Sequence, residues 1–266
     1  MSGGKGSELT FWEHLAELVR RLRIILYSVI ACTLVAMLFP VSLDRTGFSP
    51  SNPWYTTIAS LVINKMRENF LPPGVELIPV SFFASLQVYI LVSLILGVLL
   101  SSPITAYEVY KFVNPALYRR ERRAVLPFIL SFTALFASGF AIGYVLVVPM
   151  TLRLLILMAE PFGLAKLYSF TEFFSLVAGS LLVCGIMFTT PIYFVLLVKA
   201  GILTTDHLRK NRKYVYPALI ITISILDPDP SLVTETFLGL PLILLLEISI
   251  LVARRYERPR KEPKSR

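Results

Sequence analysis

Charge, histidine and cysteine are all scarce in this sequence. Its 266 residues contain two histidines and two cysteines, and only 16% of them are charged. A soluble domain carries about 25% charged residues. The shortfall comes with 55% hydrophobic residues and a mean hydropathy of +0.70. That much apolar surface has no place in a single water-facing fold, so a polytopic membrane protein is expected. No phosphate-binding glycine loop, zinc-ligand spacing or nucleophile elbow is present. His14 and Glu17 stand three apart, but no third ligand accompanies them, so no metal and no cofactor is expected. Cys32 and Cys184 each lie within an apolar run and read as small buried residues rather than a disulfide pair. A formal charge of +9 would suggest nucleic acid in a soluble protein. Here its placement along the chain points to topology instead, and no nucleic-acid partner is expected.

The apolar runs are long. Ile24–Leu43, Leu77–Tyr107, Ala124–Leu152 and Phe173–Val198 carry no charged residue, and each exceeds or matches the roughly 20 residues that a helical span needs. Two shorter runs follow, Tyr214–Leu226 and Thr236–Ala253, the second interrupted by Glu247 and the two separated by the turn sequence LDPDPS. The expected fold is therefore all-α, a single integral membrane domain over 1–266 with six transmembrane helices. The spans are placed at about 24–43, 78–107, 124–149, 172–199, 213–226 and 232–253, the last two forming a short hairpin. Residues 1–23 form an amphipathic lead-in and 254–266 a basic tail. Arg20, Arg21 and Arg23 precede the first run, and VIAC at 29–32 loosely resembles a lipoprotein cleavage box. The run continues well past Cys32, so a retained first span is expected rather than a cleaved signal.

Basic residues are distributed unevenly about these spans. Of 26 Lys and Arg, 21 lie in the lead-in, in 108–123, in 199–213 and in the tail. Only Arg45, Lys65, Arg67, Arg153 and Lys166 fall on the opposite side. The positive-inside rule places both termini in the cytoplasm of a cell-membrane protein. On the outer side, WYTTIASLVINKMRENF shows Ile58, Leu61, Val62 and Met66 at helical spacing. A helix lying on the outer face and a helix packed on neighbouring loops both fit that pattern.

Three acids stand out. Glu17, in FWEHLAELVRRLR, has Arg20 at i+3 and Arg21 at i+4, so a salt-bridged interfacial turn accounts for it. Glu121 sits among Arg119, Arg120, Arg122 and Arg123 at the start of the third span. There it gains from the helix dipole, while the arginines meet lipid phosphates. Glu247 lies roughly 10 Å inside the last span, a depth at which an acid faces a partner or a wet cavity.

HLAELVRRL at 14–22, SSPITAYEVYKFVNPALYRRERR at 101–123, GILTTDHLRKNRKYV at 201–215 and DPDPSLVTETFLGLPLILLLE at 227–247 converge on one family. Over nearly its whole length the sequence resembles TatC, the core membrane subunit of the twin-arginine protein translocase. The resemblance implies a concave, glove-like bundle that recognises folded cargo through signal peptides bearing consecutive arginines. It also implies assembly with single-span TatA-type partners, and in some systems TatB-type ones, self-association, and transport driven by the proton-motive force. The family's signal-binding acids fall on Glu17 and Glu121, within motifs that also contain His14, Leu15, Arg20, Phe112, Pro115, Leu117 and Tyr118. Partner docking or intramembrane polarity is implied at Thr189, Pro191, Asp227, Asp229 and Glu247.

Physical chemistry agrees with two acids. Adjacent arginines on an extended peptide point to opposite sides. Two carboxylates from separate segments can each take one guanidinium in a bidentate fork that lysine cannot reproduce. The sequence also departs from the family pattern. Val19 stands where the family usually has arginine, and Thr189 where it commonly has a polar or acidic residue. Asp227-Pro228-Asp229-Pro230 replaces a Thr-Pro-x-Asp turn. The competing class is a small-solute secondary transporter, which calls for inverted repeats with broken helices around midplane polar groups. The two halves of this chain show no such match. A membrane-embedded enzyme would need a nucleophile–base pair or metal ligands at depth, and no enzymatic activity is expected.

Overall fold

The computed structural model describes residues 11–42, 56–72, 74–113, 125–162, 167–199, 210, 212–226 and 232–254. Helix α1 (Phe11–Leu38) is continuous, so the amphipathic lead-in and the first apolar run are one rod. It stops before Pro40, five residues short of the expected 43. There the chain turns into β1 (Pro40–Ser42), which pairs antiparallel with β2 (Thr56–Thr57).

Helix α2 (Ile58–Phe70) starts at a capping box in which Thr57 and Ser60 satisfy each other's backbone amides. Met66 and Phe70 enter the main core, so α2 is packed against the bundle. Strand β3 (Glu76–Ile78) occupies the start of the expected second span. The corresponding helix, α3 (Ala84–Val113), begins only at Ala84.

The third long element runs past its expected end at 149. Helix α4 (Val125–Ile142) passes through a widened π turn at 143–147 into α5 (Val148–Ala159). Pro149 has no amide proton for the carbonyl of Val145, and its ring crowds that oxygen; a wider turn absorbs both effects. Strand β4 (Leu167–Ser169) pairs in parallel with β3 and leads into α6 (Phe170–Lys199). Helices α7 (Arg212–Leu226) and α8 (Leu232–Arg254) are the last two among the described residues.

Four described stretches are long and apolar enough to cross a membrane: Leu15–Leu38, Ala84–Phe112, Val125–Ala159 and Phe170–Val198. The 15 residues of α7 reach about 22 Å, short of a hydrocarbon core about 30 Å thick. The surface agrees with a lipid setting. Leu26, Ile30, Leu34 and Leu38 lie exposed along one flank of α1, an apolar stripe that water would penalise.

The core is built where helices cross. Val88, Val92, Phe136, Phe140, Phe174 and Leu181 join α3, α4 and α6. Tyr110, Phe128, Phe132, Ile192 and Leu196 pack at the end of the bundle where α1 begins and α3 finishes. Helix α1 lies antiparallel along α3, and this is the most extensive helix pair among the described residues. Tyr89 donates to the carbonyl of Met37 at one end of that seam, Gly97 meets Thr33 in the middle, and Arg21 meets Glu108 at the other end. Cys32 is half-buried and Cys184 buried, and the two are not joined in a disulfide.

Candidate functional site

The lead-in residues of α1 and the last turns of α3 share one end of the bundle. On α1, Glu17 and Arg21 are one helical turn apart and face the same way. Arg21 donates Nε to Glu17 Oε1 at 3.1 Å, and its Nη2 donates to the same oxygen. Its remaining terminal nitrogen, Nη1, reaches across to α3 and donates to Glu108 Oε2 at 3.1 Å. One guanidinium thus bridges two carboxylates from different helices. The side chains of Arg21 and Glu108 are each only 7% exposed, whereas that of Glu17 is 20% exposed. With all three groups ionised, the cluster carries one surplus negative charge. Lys111, one turn beyond Glu108, has its ammonium over the Tyr107 ring, 5.6 Å from the centroid.

Other expected site residues are arranged differently. Leu15 and Arg20 are exposed and, with Trp12, Ala16, Val19 and Arg23, line a shallow open surface of about 380 Å³. At about 100° per residue, Leu15 lies almost diametrically across α1 from Glu17. Of the two neighbouring arginines, Arg21 and not Arg20 pairs with Glu17 among the described residues. Phe112 is half-buried near the end of α3. The side chain of His14, together with Pro115, Leu117, Tyr118, Glu121, Asp227 and Asp229, lies outside the described residues.

In α6 the hydroxyl of Thr189 donates to its own backbone, at the carbonyl of Ile186, 2.6 Å away. Thr189 is 2% exposed, and Pro191 beside it is buried. A groove of about 330 Å³ lies between α6, α7 and α8, and it is Thr190 rather than Thr189 that lines it, with Met187, Phe194, Ala218 and Leu242. Glu247 on α8 has partners within the bundle. Arg212 Nη2 donates to it at 2.7 Å, and the Tyr216 hydroxyl donates to its other oxygen. Both contacts tie α7 to α8. Because Arg212 and Glu247 remain 39% and 30% exposed, the pair contributes modestly. Glu247→Gln is expected to lower stability by about 1 kcal/mol or less, measured as the thermal midpoint of the purified protein.

The family model described as Sec-independent protein translocase protein (TatC) matches residues 13–241. The chain belongs to the TatC family. The TatC of Aquifex aeolicus is 34% identical over 212 residues, covering 77% of this chain and 85% of that protein. The TatC of Cenarchaeum symbiosum is 32% identical over 263 residues, covering 96% and 98%. A crystal structure described as the twin arginine translocase receptor TatC superposes with a TM-score of 0.70 at 31% identity, covering 92% of this chain and all of that one. A second, in the detergent DDM, gives 0.71 at 32% identity.

Within this TatC chain, the N-terminal motif contributes Glu17 and Arg21 to a cluster whose third member the sequence reading passed over. In the sequence Glu108 ends the second apolar run and lies within the 101–123 motif, where no pattern singles it out. The one hint was its place in the last turns before a loop rich in arginine. Nothing local to residue 108 indicates that its partner lies 87 positions earlier.

Proposed function

We propose that this TatC protein is the receptor and core of a twin-arginine translocase. It binds the signal peptides of folded proteins at the cytoplasmic face of the cell membrane and assembles with TatA-type single-span subunits, with or without a TatB-type one. The assembly, which includes further copies of this chain, moves cargo at the expense of the proton-motive force. The protein acts by binding and assembly and performs no covalent chemistry. Six spans with both termini in the cytoplasm accord with the four long apolar helices, the shorter final pair and the concentration of Lys and Arg on one side.

The observation that carries this reading is the surplus of negative charge at a partly exposed carboxylate, Glu17, within the family's N-terminal motif. A signal arginine docking there gains a charge-assisted hydrogen bond in a setting drier than bulk water. Glu121, from the following loop, takes the second arginine. Exposed apolar side chains on α1, among them Leu18 and Leu22, offer a surface for the hydrophobic stretch of the signal.

Glu17→Ala and Glu121→Ala are each expected to weaken binding of a twin-arginine signal peptide by about tenfold or more, the equivalent of one charged hydrogen bond. Site-specific crosslinking in membranes, or peptide binding to the purified protein, measures this. Unchanged binding in both variants sinks the assignment.

A further inference from the structure

We propose that Glu108 is a positioning residue of the receptor site: it holds Arg21 as an internal guanidinium and thereby decides whether Glu17 can accept an arginine from a signal peptide. The inference rests on the receptor reading of Glu17 and adds a third acid to it.

Arg21 commits two donors to one oxygen of Glu17 and a third to Glu108. An arriving guanidinium meets Glu17 already in use and has two ways in. It can share Glu17 by approaching Oε2, which accepts no hydrogen bond among the described residues. Sharing is favourable because the buried cluster is one charge negative, and a second cation brings it to neutrality. Alternatively, the newcomer can displace Arg21. A displaced arginine in this setting would be a stranded buried cation, which is strongly unfavourable. Glu108 prevents that outcome, because its equally buried carboxylate lies on the other helix and keeps its bond to Nη1.

Both routes depend on the charge of Glu108. Without it, Glu17 and Arg21 neutralise each other as an isolated, partly buried pair, and a signal arginine that shares or breaks that pair meets no surplus negative charge. Among the described residues, no other cation pairs with the cluster. Lys111 is turned onto the Tyr107 ring, and Arg20 and Arg23 line an open surface where water screens their charge.

The test is binding of a fluorescent synthetic signal peptide, with an Arg-Arg pair and a Lys-Lys control, to the full-length protein in lipid nanodiscs. Glu108→Gln is expected to weaken binding of the Arg-Arg peptide about tenfold, the scale of one charge-assisted contact. Glu108→Asp keeps the charge and should bind within about threefold of the parent, the scale of an imperfectly aligned contact. The double variant Arg21→Gln with Glu108→Gln removes the competitor as well as its anchor, so it should recover most of the lost affinity. Recovery of this kind separates positioning from a purely structural role, since taking Arg21 from Glu17 as well would add to any folding defect of Glu108→Gln. Wild-type binding by Glu108→Gln, or a double variant as weak as Glu108→Gln, overturns the inference. Glu17→Ala in the same assay keeps the two readings apart. If it loses binding while Glu108→Gln does not, the receptor reading stands and the role of Glu108 falls. If Glu17→Ala binds like the parent, the receptor reading itself fails.

Discussion

Replacing Arg21 with alanine is expected to destabilise the folded protein by about 3–5 kcal/mol, the cost of removing one member of a buried ion pair. The size follows from what remains. Glu108 loses its described ion-pair partner while its side chain is only 7% exposed, and Glu17 loses its own at 20% exposure. Two carboxylates then face each other across the α1–α3 seam without a cation, each having given up its hydration. Arg21→Ala combined with Glu108→Gln should cost less than Arg21→Ala alone, because the second change removes one of the stranded charges. That non-additivity is the mark of a coupled network. Thermal midpoints in detergent and the amount of protein retained in membranes read it out. A loss below about 1 kcal/mol, the value of an exposed pair, would mean that the cluster is wetter than the structure indicates.

The second large effect lies further along the same seam. A methyl group on Gly97 would sit 2.1 Å from Thr33 Oγ1, 2.8 Å from the Thr33 amide nitrogen and 2.9 Å from its Cα. The hydroxyl of Thr33 could rotate away from its bond to the carbonyl of Val29, but the backbone atoms cannot. Gly97→Ala therefore has to push α1 off α3. The expected loss is about 3 kcal/mol, at the upper end of what overpacking costs. Adding Thr33→Ala should restore only part of it, since the contacts to nitrogen and Cα remain. The change also acts at a distance, because α1 and α3 hold Arg21 against Glu108 at the end of the seam. Gly97→Ala should therefore weaken signal-peptide binding although Gly97 touches none of the acids. If Gly97→Ala has wild-type stability, the two helices are not packed this closely.

Much of the architecture was legible because hydropathy is summed along the chain. Four uncharged runs marked the four long helices, and the change to shorter runs marked the final pair. Boundaries were harder to read. The second apolar run enters β3 before it becomes helix, since Leu77 and Ile78 suit a strand as well as a span. The third long helix goes on past Arg153, because one charge within a helix does not stop it when good helix formers such as Leu154, Leu155 and Leu157 follow. The Glu17–Arg21 pair was legible for a geometric reason: a separation of four residues is one turn of a helix. Thr189 stood out through the family resemblance, which implies a polar group at its position, but in a helix a single residue step turns the side chain by about 100°. The groove receives Thr190 instead.

Composition and local pattern carry the apolar solvent the protein is built for, the long helices, the gathering of basic residues in alternate segments between the apolar runs, and the family motifs that contain the acids. Each of these is a property of composition or of residues within a turn or two of one another. Tertiary structure alone decided that Arg21 meets Glu108, that Gly97 admits the backbone of Thr33, and that Glu247 is held by Arg212 and Tyr216. Those pairings depend on which helix faces rest together and in what register. Periodicity says that a face is apolar or polar but carries no record of its partner. The register is set by side chains and glycines interlocking across distances in sequence that no local pattern spans.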